Sequence, residues 1–175
     1  YHDKSKLIAG NHDAKDKIVV FSDPLCPFCI DYVPEVIKHV QKNSDSIALY
    51  YYHFPLLGLH PAAGILVKLV DIAKDKGIKD AELKVYQTNW EKYFEAKSTD
   101  EKKILEAFNK EFKTTIKLED INDKVSEVIE KDILMKAKKS DAQQLIGKRL
   151  GCFCKPHACH GDIIANYLNK FDDGT

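Results

Sequence analysis

The sequence predicts an α/β fold that begins with a strand-helix-strand unit and continues with a long run of helices. The β-branched run at residues 18–20 is typical of a buried strand, which Asp23-Pro24 ends. Residues 46–55, rich in tyrosine, predict a second strand. Since the two strands are joined by one helix, we expect them to be parallel, with a right-handed crossover. That helix is indicated by apolar residues at steps of three and four: Ile30, Val33, Val36, Ile37 and Val40.

The rest of the chain divides into a helical block and a shorter ending. Helical spacing continues from Pro61 to about Ser140, which predicts an inserted helical domain over residues 61–139. Residues 1–60 and 140–175 should form the other domain, with an atypical C-terminal part that contributes a short strand and a helix.

Three short segments complete this prediction. Residues 8–16 contain Gly10-Asn11 and are expected to be a turn-rich lead into the first strand. Residues 148–154 alternate weakly and predict the C-terminal strand, and apolar spacing from Ile163 predicts the closing helix.

Composition limits the classes of function. The 175 residues are 44% hydrophobic, which is enough for a substantial core. The 27 basic residues balance 27 acidic ones, and Arg149 is the only arginine, so neither nucleic acid nor an anionic membrane is an expected partner. No apolar run approaches the roughly 18 residues of a membrane span, and we expect no membrane insertion.

Cys26 and Cys29 form a Cys-Pro-Phe-Cys pair at the junction between the first strand and its helix. A thiol in the first helical turn faces unpaired N–H groups and the positive end of the helix dipole, and both favour the thiolate. Pro27 suits the first helical position because its missing N–H costs nothing there. The sequence therefore predicts a reactive outer Cys26 with a lowered pKa and a more buried resolving Cys29. A structural disulfide and half of a zinc site are the alternatives.

Three further cysteines, Cys152, Cys154 and Cys159, lie near the end of the chain, and three interpretations of them stay open. With His157 or His160 they offer ligands suited to zinc, although the usual Cys-x₂-Cys spacing is lacking. A disulfide between Cys154 and Cys159 would leave Cys152 outside the pairing. In the third interpretation all of them are ordinary thiols.

Four features of the sequence belong together: residues 23–29, Pro34 five residues after Cys29, residues 52–56, and His60-Pro61-x-Ala63. In combination they resemble the DsbA-like thiol-disulfide oxidoreductases, which are thioredoxin-like folds with a helical insertion. The resemblance covers residues 8–147 and implies that Cys26 attacks, that Cys29 resolves, and that Pro27 and Phe28 tune the redox potential. It also implies an exported location, usually periplasmic or in the envelope. The first residues do not have the pattern of a signal peptide, and we expect either a cytosolic protein or a mature exported one.

The C-terminal part departs from that family. The family has a Gly-Thr-Pro-Thr-like segment whose cis-proline faces the active site, whereas residues 145–156 of this chain follow a different pattern. Either Pro156 substitutes for that proline, or the chain has no such proline. Residues 151–162 resemble instead the Cys-x-Cys-x-Pro-x-x-Cys-His-Gly-Asp motif of a small phage and bacterial domain family of unknown function.

Three polar residues near the pair have two interpretations each. The resemblance places His53 and His60 near the active-site end of the sheet, where a histidine either tunes the thiolate or packs and caps. Asp23 either moves protons during thiol exchange or has an ordinary turn role before Pro24.

The function that these expectations favour is a thiol-disulfide oxidoreductase acting on protein cysteines. It would need no cofactor, would be regenerated by a redox partner protein, and would be a monomer. The alternative is a thioredoxin-like binding protein of weak catalytic power with a C-terminal Cys/His metal site. Oxidases, reductases and isomerases share the motif, so the sequence does not give the direction of electron flow.

Overall fold

A computed structural model describes residues 2–122 of the chain. Its sheet has the order β1-β3-β2, built from β1 (Leu7–Gly10), β2 (Asp16–Ser22) and β3 (Ile47–His53). β2 and β3 are parallel along their whole length, from Asp16 beside Ile47 to Ser22 beside His53. The predicted strand-helix-strand unit is therefore confirmed.

The expected turn-rich lead over residues 8–16 is wrong in its first part, because Leu7–Gly10 is a strand. β1 pairs antiparallel with β3, with Leu7 opposite Tyr50. A strand of four residues is too short to show an alternating pattern, and its hydrogen-bonding partner lies far along the chain. The turn itself follows β1, where Asn11 Oδ1 accepts a hydrogen bond of 3.0 Å from the backbone of Asp13.

Helix α1 (Pro27–Lys42) connects the two parallel strands. It buries Val33, Ile37 and Val40, which belong to the predicted apolar stripe. Pro34 lies inside the helix and is buried as well. The apolar stripe determines which face of α1 packs on the core, and the junction between β2 and α1 determines where the cysteine pair lies.

The described part of the helical block contains α2 (Pro61–Asp75), α3 (Ala81–Gln87) and α4 (Glu101–Phe112). Short 3₁₀ turns occupy Lys4–Lys6 and Trp90–Lys92. Helix α4 starts after Asp100, whose side chain accepts a hydrogen bond from the backbone of Lys103 over 3.1 Å. Among residues 2–122, no helix is both long enough and apolar enough to cross a membrane.

Strand β3 separates two apolar clusters because successive side chains of a strand point to opposite faces. Leu49 and Tyr51 belong to the main core, together with residues of α1 and of the helical block. Tyr50 and Tyr52 belong to a smaller cluster on the other face. The predicted division into domains at residue 60 is not tested by this arrangement and stays a prediction.

Aromatic residues of the helical block form part of the core. Trp90 is buried, and its ring stacks on those of Phe94, Phe108 and Phe112 with centroids 5.7–6.4 Å apart. Several other predictions concern parts of the chain outside the described residues. They are the strand at 148–154, the helix from Ile163, Pro156 as the cis-proline substitute, and the cluster of Cys152, Cys154, His157, Cys159 and His160.

Candidate active site

The cysteine pair lies where β2 ends and α1 begins. Cys26 is the N-cap residue of α1, and Pro27 is the first residue inside the helix. The backbone N–H of Cys26 donates to the carbonyl of Asp23 over 3.2 Å, which closes a turn between strand and helix. The Cys26 sulfur is therefore at the positive end of a 16-residue helix, as the sequence predicted.

The predicted order of burial is wrong for this structure. Cys26 is only 4% exposed, whereas Cys29 has intermediate exposure. The reason is a neighbouring segment, residues 54–60, which follows β3. Its Phe54 N–H donates to the carbonyl of Ser22 over 2.8 Å, so the segment runs beside residues 22–26, all of which are buried.

Asp23 joins residues 54–60 to the turn between β2 and α1 by hydrogen bonds. Its carboxylate is fully buried and accepts three hydrogen bonds. Oδ1 accepts from the backbone of Leu25 over 2.7 Å, and Oδ2 accepts from the backbone of Leu56 over 2.8 Å and from Nδ1 of His60 over 3.0 Å. Asp23 thus combines the expected turn role with a direct contact to a histidine of the site.

His60 places a titratable imidazole next to the cysteine pair. Its hydrogen bond to Asp23 and the charges of Asp23 and Cys26 raise the pKa of His60, although partial burial acts in the opposite direction. Electrostatic interactions are reciprocal, so a protonated His60 stabilises a thiolate at Cys26. The other candidate histidine has a different place. His53 is buried and contacts Asp71, with Nε2 and Oδ1 3.3 Å apart.

The thiol of Cys29 is difficult to ionise. Neither is in a disulfide in this structure. The hydrogen bond from Cys29 to Cys26, together with burial, raises the pKa of Cys29 far above its usual range. The Ser22 hydroxyl and the Asp23 backbone N–H act in the opposite direction, because both donate to a Cys29 thiolate. When the pair loses one proton, the negative charge therefore lies on Cys26.

Sequence reasoning missed a row of hydroxyl groups beneath Cys29. Tyr86 of α3 donates to Ser22 Oγ over 2.8 Å, and the hydroxyls of Tyr86 and Tyr51 are 2.7 Å apart. All three residues are buried. The one signal in the sequence was Ser22, a polar residue at the end of a strand beside the cysteines. Its partner Tyr86 lies 64 positions later, which is too far for a local pattern to reveal the contact.

Exposed apolar side chains lie near the pair. Phe28, between the cysteines, is 39% exposed, and Pro27 is also exposed. Leu57 and Leu59, in the segment fastened by Asp23, are 46% and 52% exposed. Within residues 2–122, no group of three or more His, Cys, Asp or Glu side chains is placed to hold a metal ion.

The comparison with protein families decides the membership of the chain. A family model described as a domain of unknown function (DUF4326) matches residues 69–170, which is more than half of the chain. This protein belongs to the DUF4326 family. The match includes the C-terminal cysteine motif, so the resemblance inferred from residues 151–162 is confirmed, and it extends back into α2.

One curated relative of this DUF4326 protein is described as an uncharacterized 12.4 kDa protein in the nrdA-td intergenic region of Enterobacteria phage T4. The two are 45% identical over 49 residues, which is 25% of this chain. The chain spans 45% of the length of that phage protein.

Two solved structures share the fold of this DUF4326 protein. DsbA2 of Pseudomonas aeruginosa is similar with a TM-score of 0.53 and 22% identity, over 77% of this chain and 73% of that one. A thioredoxin-like oxidoreductase from Silicibacter pomeroyi DSS-3 is similar with a TM-score of 0.53 and 16% identity, over 95% and 91%. The predicted thioredoxin-like α/β fold of the DsbA kind is confirmed.

Proposed function

We propose that this protein is a thiol-disulfide oxidoreductase that acts on protein cysteines through Cys26 and Cys29. The observation that carries this proposal is the position of Cys26 at the N-terminus of α1, where it accepts a hydrogen bond from Cys29. Cys29 is kept as a thiol by its hydrogen bond to Cys26, while Cys26 lies at a helix N-terminus beside His60. One sulfur is thereby prepared to attack, and the other is held in reserve.

The reaction proceeds through a mixed disulfide. The Cys26 thiolate attacks a disulfide of the substrate, forms a bond to one substrate sulfur and releases the other as a thiolate. Cys29 then loses its proton to solvent and attacks Cys26 Sγ, which forms the Cys26–Cys29 disulfide and releases the first substrate sulfur. Two electrons pass to the substrate. The same steps in reverse oxidise a substrate dithiol.

We propose further roles for the residues around the pair. A protonated His60, held by Asp23, stabilises the Cys26 thiolate as attacking or leaving group. Phe28, Leu57 and Leu59 provide an exposed apolar surface for the chain on either side of a substrate cysteine. Pro27 and Phe28 tune the redox potential. No cofactor takes part in these steps.

The test uses purified full-length protein with a reduced and an oxidised protein substrate. We expect disulfide exchange that is lost in Cys26→Ser, and we expect Cys29→Ser to accumulate a substrate joined to Cys26. A variant with serine at positions 152, 154 and 159 is the matched control, and it should keep the activity. Absence of exchange in the wild type, or loss of activity only in the control, would refute the proposal.

Location and partners are part of the same proposal. We place the protein in the periplasm or envelope, as a monomer whose pair is regenerated by a second redox protein. Alkylation of the thiols in intact cells, followed by fractionation, would report both the compartment and the steady-state oxidation of Cys26. Recovery in the cytosol with a fully reduced pair would contradict this location.

A binding protein with a C-terminal metal site is the competing function, and the family match spans the residues that would form the site. That match covers Cys152, Cys154, Cys159 and His160. Metal analysis of the purified protein separates the two proposals. One zinc per chain, retained when Cys26 and Cys29 are replaced by serine and accompanied by no exchange activity, would favour the metal-binding function.

A further inference from the structure

The hydroxyls of Ser22, Tyr86 and Tyr51 form a continuous hydrogen-bonded row beneath the cysteine pair. They come from β2, α3 and β3, and each of the three residues is at most 3% exposed. The row ends at Cys29, since the Ser22 hydroxyl also contacts that sulfur. Because these three hydroxyls are buried, their hydrogen bonds are made within the protein, and each hydroxyl donates its hydrogen in the same direction along the row.

Counting hydrogens fixes that direction. Each hydroxyl has one hydrogen to donate. Tyr86 donates its hydrogen to Ser22 Oγ, so the contact of 2.7 Å between the two tyrosines uses the hydrogen of Tyr51. A longer contact of 3.5 Å joins the Tyr51 hydroxyl to the carbonyl of Ser22. The hydrogen of Ser22 then remains for Cys29, and donation runs from Tyr51 through Tyr86 and Ser22 to the sulfur.

The two tyrosines remain hydrogen-bond donors over the whole pH range in which thiols titrate. Burial is the main cause that raises the pKa of both Tyr51 and Tyr86 well above the ordinary value for a phenol. Both therefore remain protonated donors while Cys29 gains or loses its proton.

We propose that Ser22, oriented by Tyr86 and Tyr51, is a positioning residue that stabilises the Cys29 thiolate when this sulfur attacks or leaves a disulfide. In the step that resolves a mixed disulfide, the Cys29 thiol gives its proton to solvent, and its electron pair forms the bond to Cys26 Sγ. The substrate sulfur leaves with the electron pair of the broken bond. A donor aimed at Cys29 lowers the free energy of the thiolate that this step requires.

This inference rests on the proposed function and is tested by timing one step. Reduced full-length protein is mixed with oxidised glutathione and quenched with acid, and peptide mass spectrometry follows the glutathione adduct on Cys26 over time. The variants are Ser22→Ala and Tyr86→Phe. Tyr50→Phe is the control, because Tyr50 lies on the opposite face of β3, where its hydroxyl is 2.7 Å from Nδ1 of His12.

We expect the adduct to be resolved about tenfold more slowly in Ser22→Ala and in Tyr86→Phe, the effect of losing a hydrogen bond to a charged group. The profile of resolution rate against pH should also shift to higher pH, because ionisation of Cys29 becomes harder. A merely structural change would slow the step equally at every pH. Formation of the adduct, and both steps in Tyr50→Phe, should match the wild type.

Unchanged resolution in a folded variant would overturn the inference, as would equal slowing at all pH values or equal slowing in Tyr50→Phe. Should one variant not fold, the other decides. A wild type that forms no adduct on Cys26, or never resolves it, would instead refute the proposed function. Resolution in the wild type that the two variants leave unaltered would refute only the role of Ser22.

Discussion

His60 Nδ1 donates a hydrogen bond of 3.0 Å to Oδ2 of Asp23, and this contact joins the loop after β3 to the loop that carries the cysteines. Because Asp23 is fully buried, the imidazole is held by a carboxylate that water does not reach. The same imidazole lies in the electrostatic field of Cys26. The redox state of the pair is therefore coupled to the protonation of His60.

The first prediction concerns this coupling. The negative charge on Cys26 contributes to the raised pKa of His60, and that charge disappears when the disulfide forms. We expect the pKa of His60, measured by NMR titration of its ring protons, to be higher in the dithiol form than in the disulfide form. Cys26→Ser is the control and should titrate like the disulfide form. Identical titration in both redox states would refute the coupling.

The second prediction concerns stability against pH. The pKa of His60 is raised by folding, so its contribution to stability is fully present below its unfolded pKa of about 6.5 and is lost as pH rises through the folded pKa. Urea unfolding should show the largest destabilisation by His60→Ala below about pH 6. The difference between variant and wild type should shrink toward alkaline pH. A difference that grows with pH would contradict the sign of the shift.

The third prediction concerns Asp23→Asn. The Asp23 carboxylate accepts from two backbone N–H groups and from His60 through its two oxygens. An amide has one oxygen, so its NH₂ group would face at least one of these donors and leave it unsatisfied. We expect a loss of about 1–3 kcal/mol in the free energy of unfolding. The control Asp31→Asn, at an exposed position of α1, should change it by less than about 0.5 kcal/mol.

The fourth prediction concerns Gly10, at the end of β1. Its φ is +79°, and a Cβ atom there would lie 1.9 Å from the carbonyl oxygen of Ile47. Gly10→Ala must therefore displace β1 from β3, and we expect a loss of at least about 2 kcal/mol in urea unfolding. Gly58→Ala is the control, because no atom lies within 4 Å of its Cβ position. Equal stability of the two variants would show that β1 adapts without cost.

The elements that follow from local patterns were predicted from the sequence, and an element that depends on a distant partner was not. The apolar spacing of α1 and the β-branched run of β2 are local patterns, and both predicted the observed elements. β1 was missed because it is short and is stabilised by pairing with Tyr50 and its neighbours, some 40 positions later along the chain. Its identity as a strand is a tertiary property.

The site shows the same limit at the level of single side chains. The position of Cys26 at the helix N-terminus follows from local sequence, and the structure agrees. The predicted order of burial was wrong because it holds for an isolated helix, whereas residues 54–60 lie beside residues 22–26 and cover Cys26. The hydrogen bond from Tyr86 to Ser22 depends on where the packing of α3 against α1 and α2 places the tyrosine.

The distance in sequence between Ser22 and Tyr86 has a consequence for biosynthesis. The two residues are separated by 64 positions, so at about 5–20 residues per second Tyr86 is synthesised roughly 3–13 s after Ser22. During that interval the nascent chain presents Cys29 without the tyrosine hydroxyl that later orients Ser22. Cys152 is synthesised later still, after all of the elements described here. Vectorial synthesis thus gives the first pair time to become enclosed before the C-terminal thiols can compete for it.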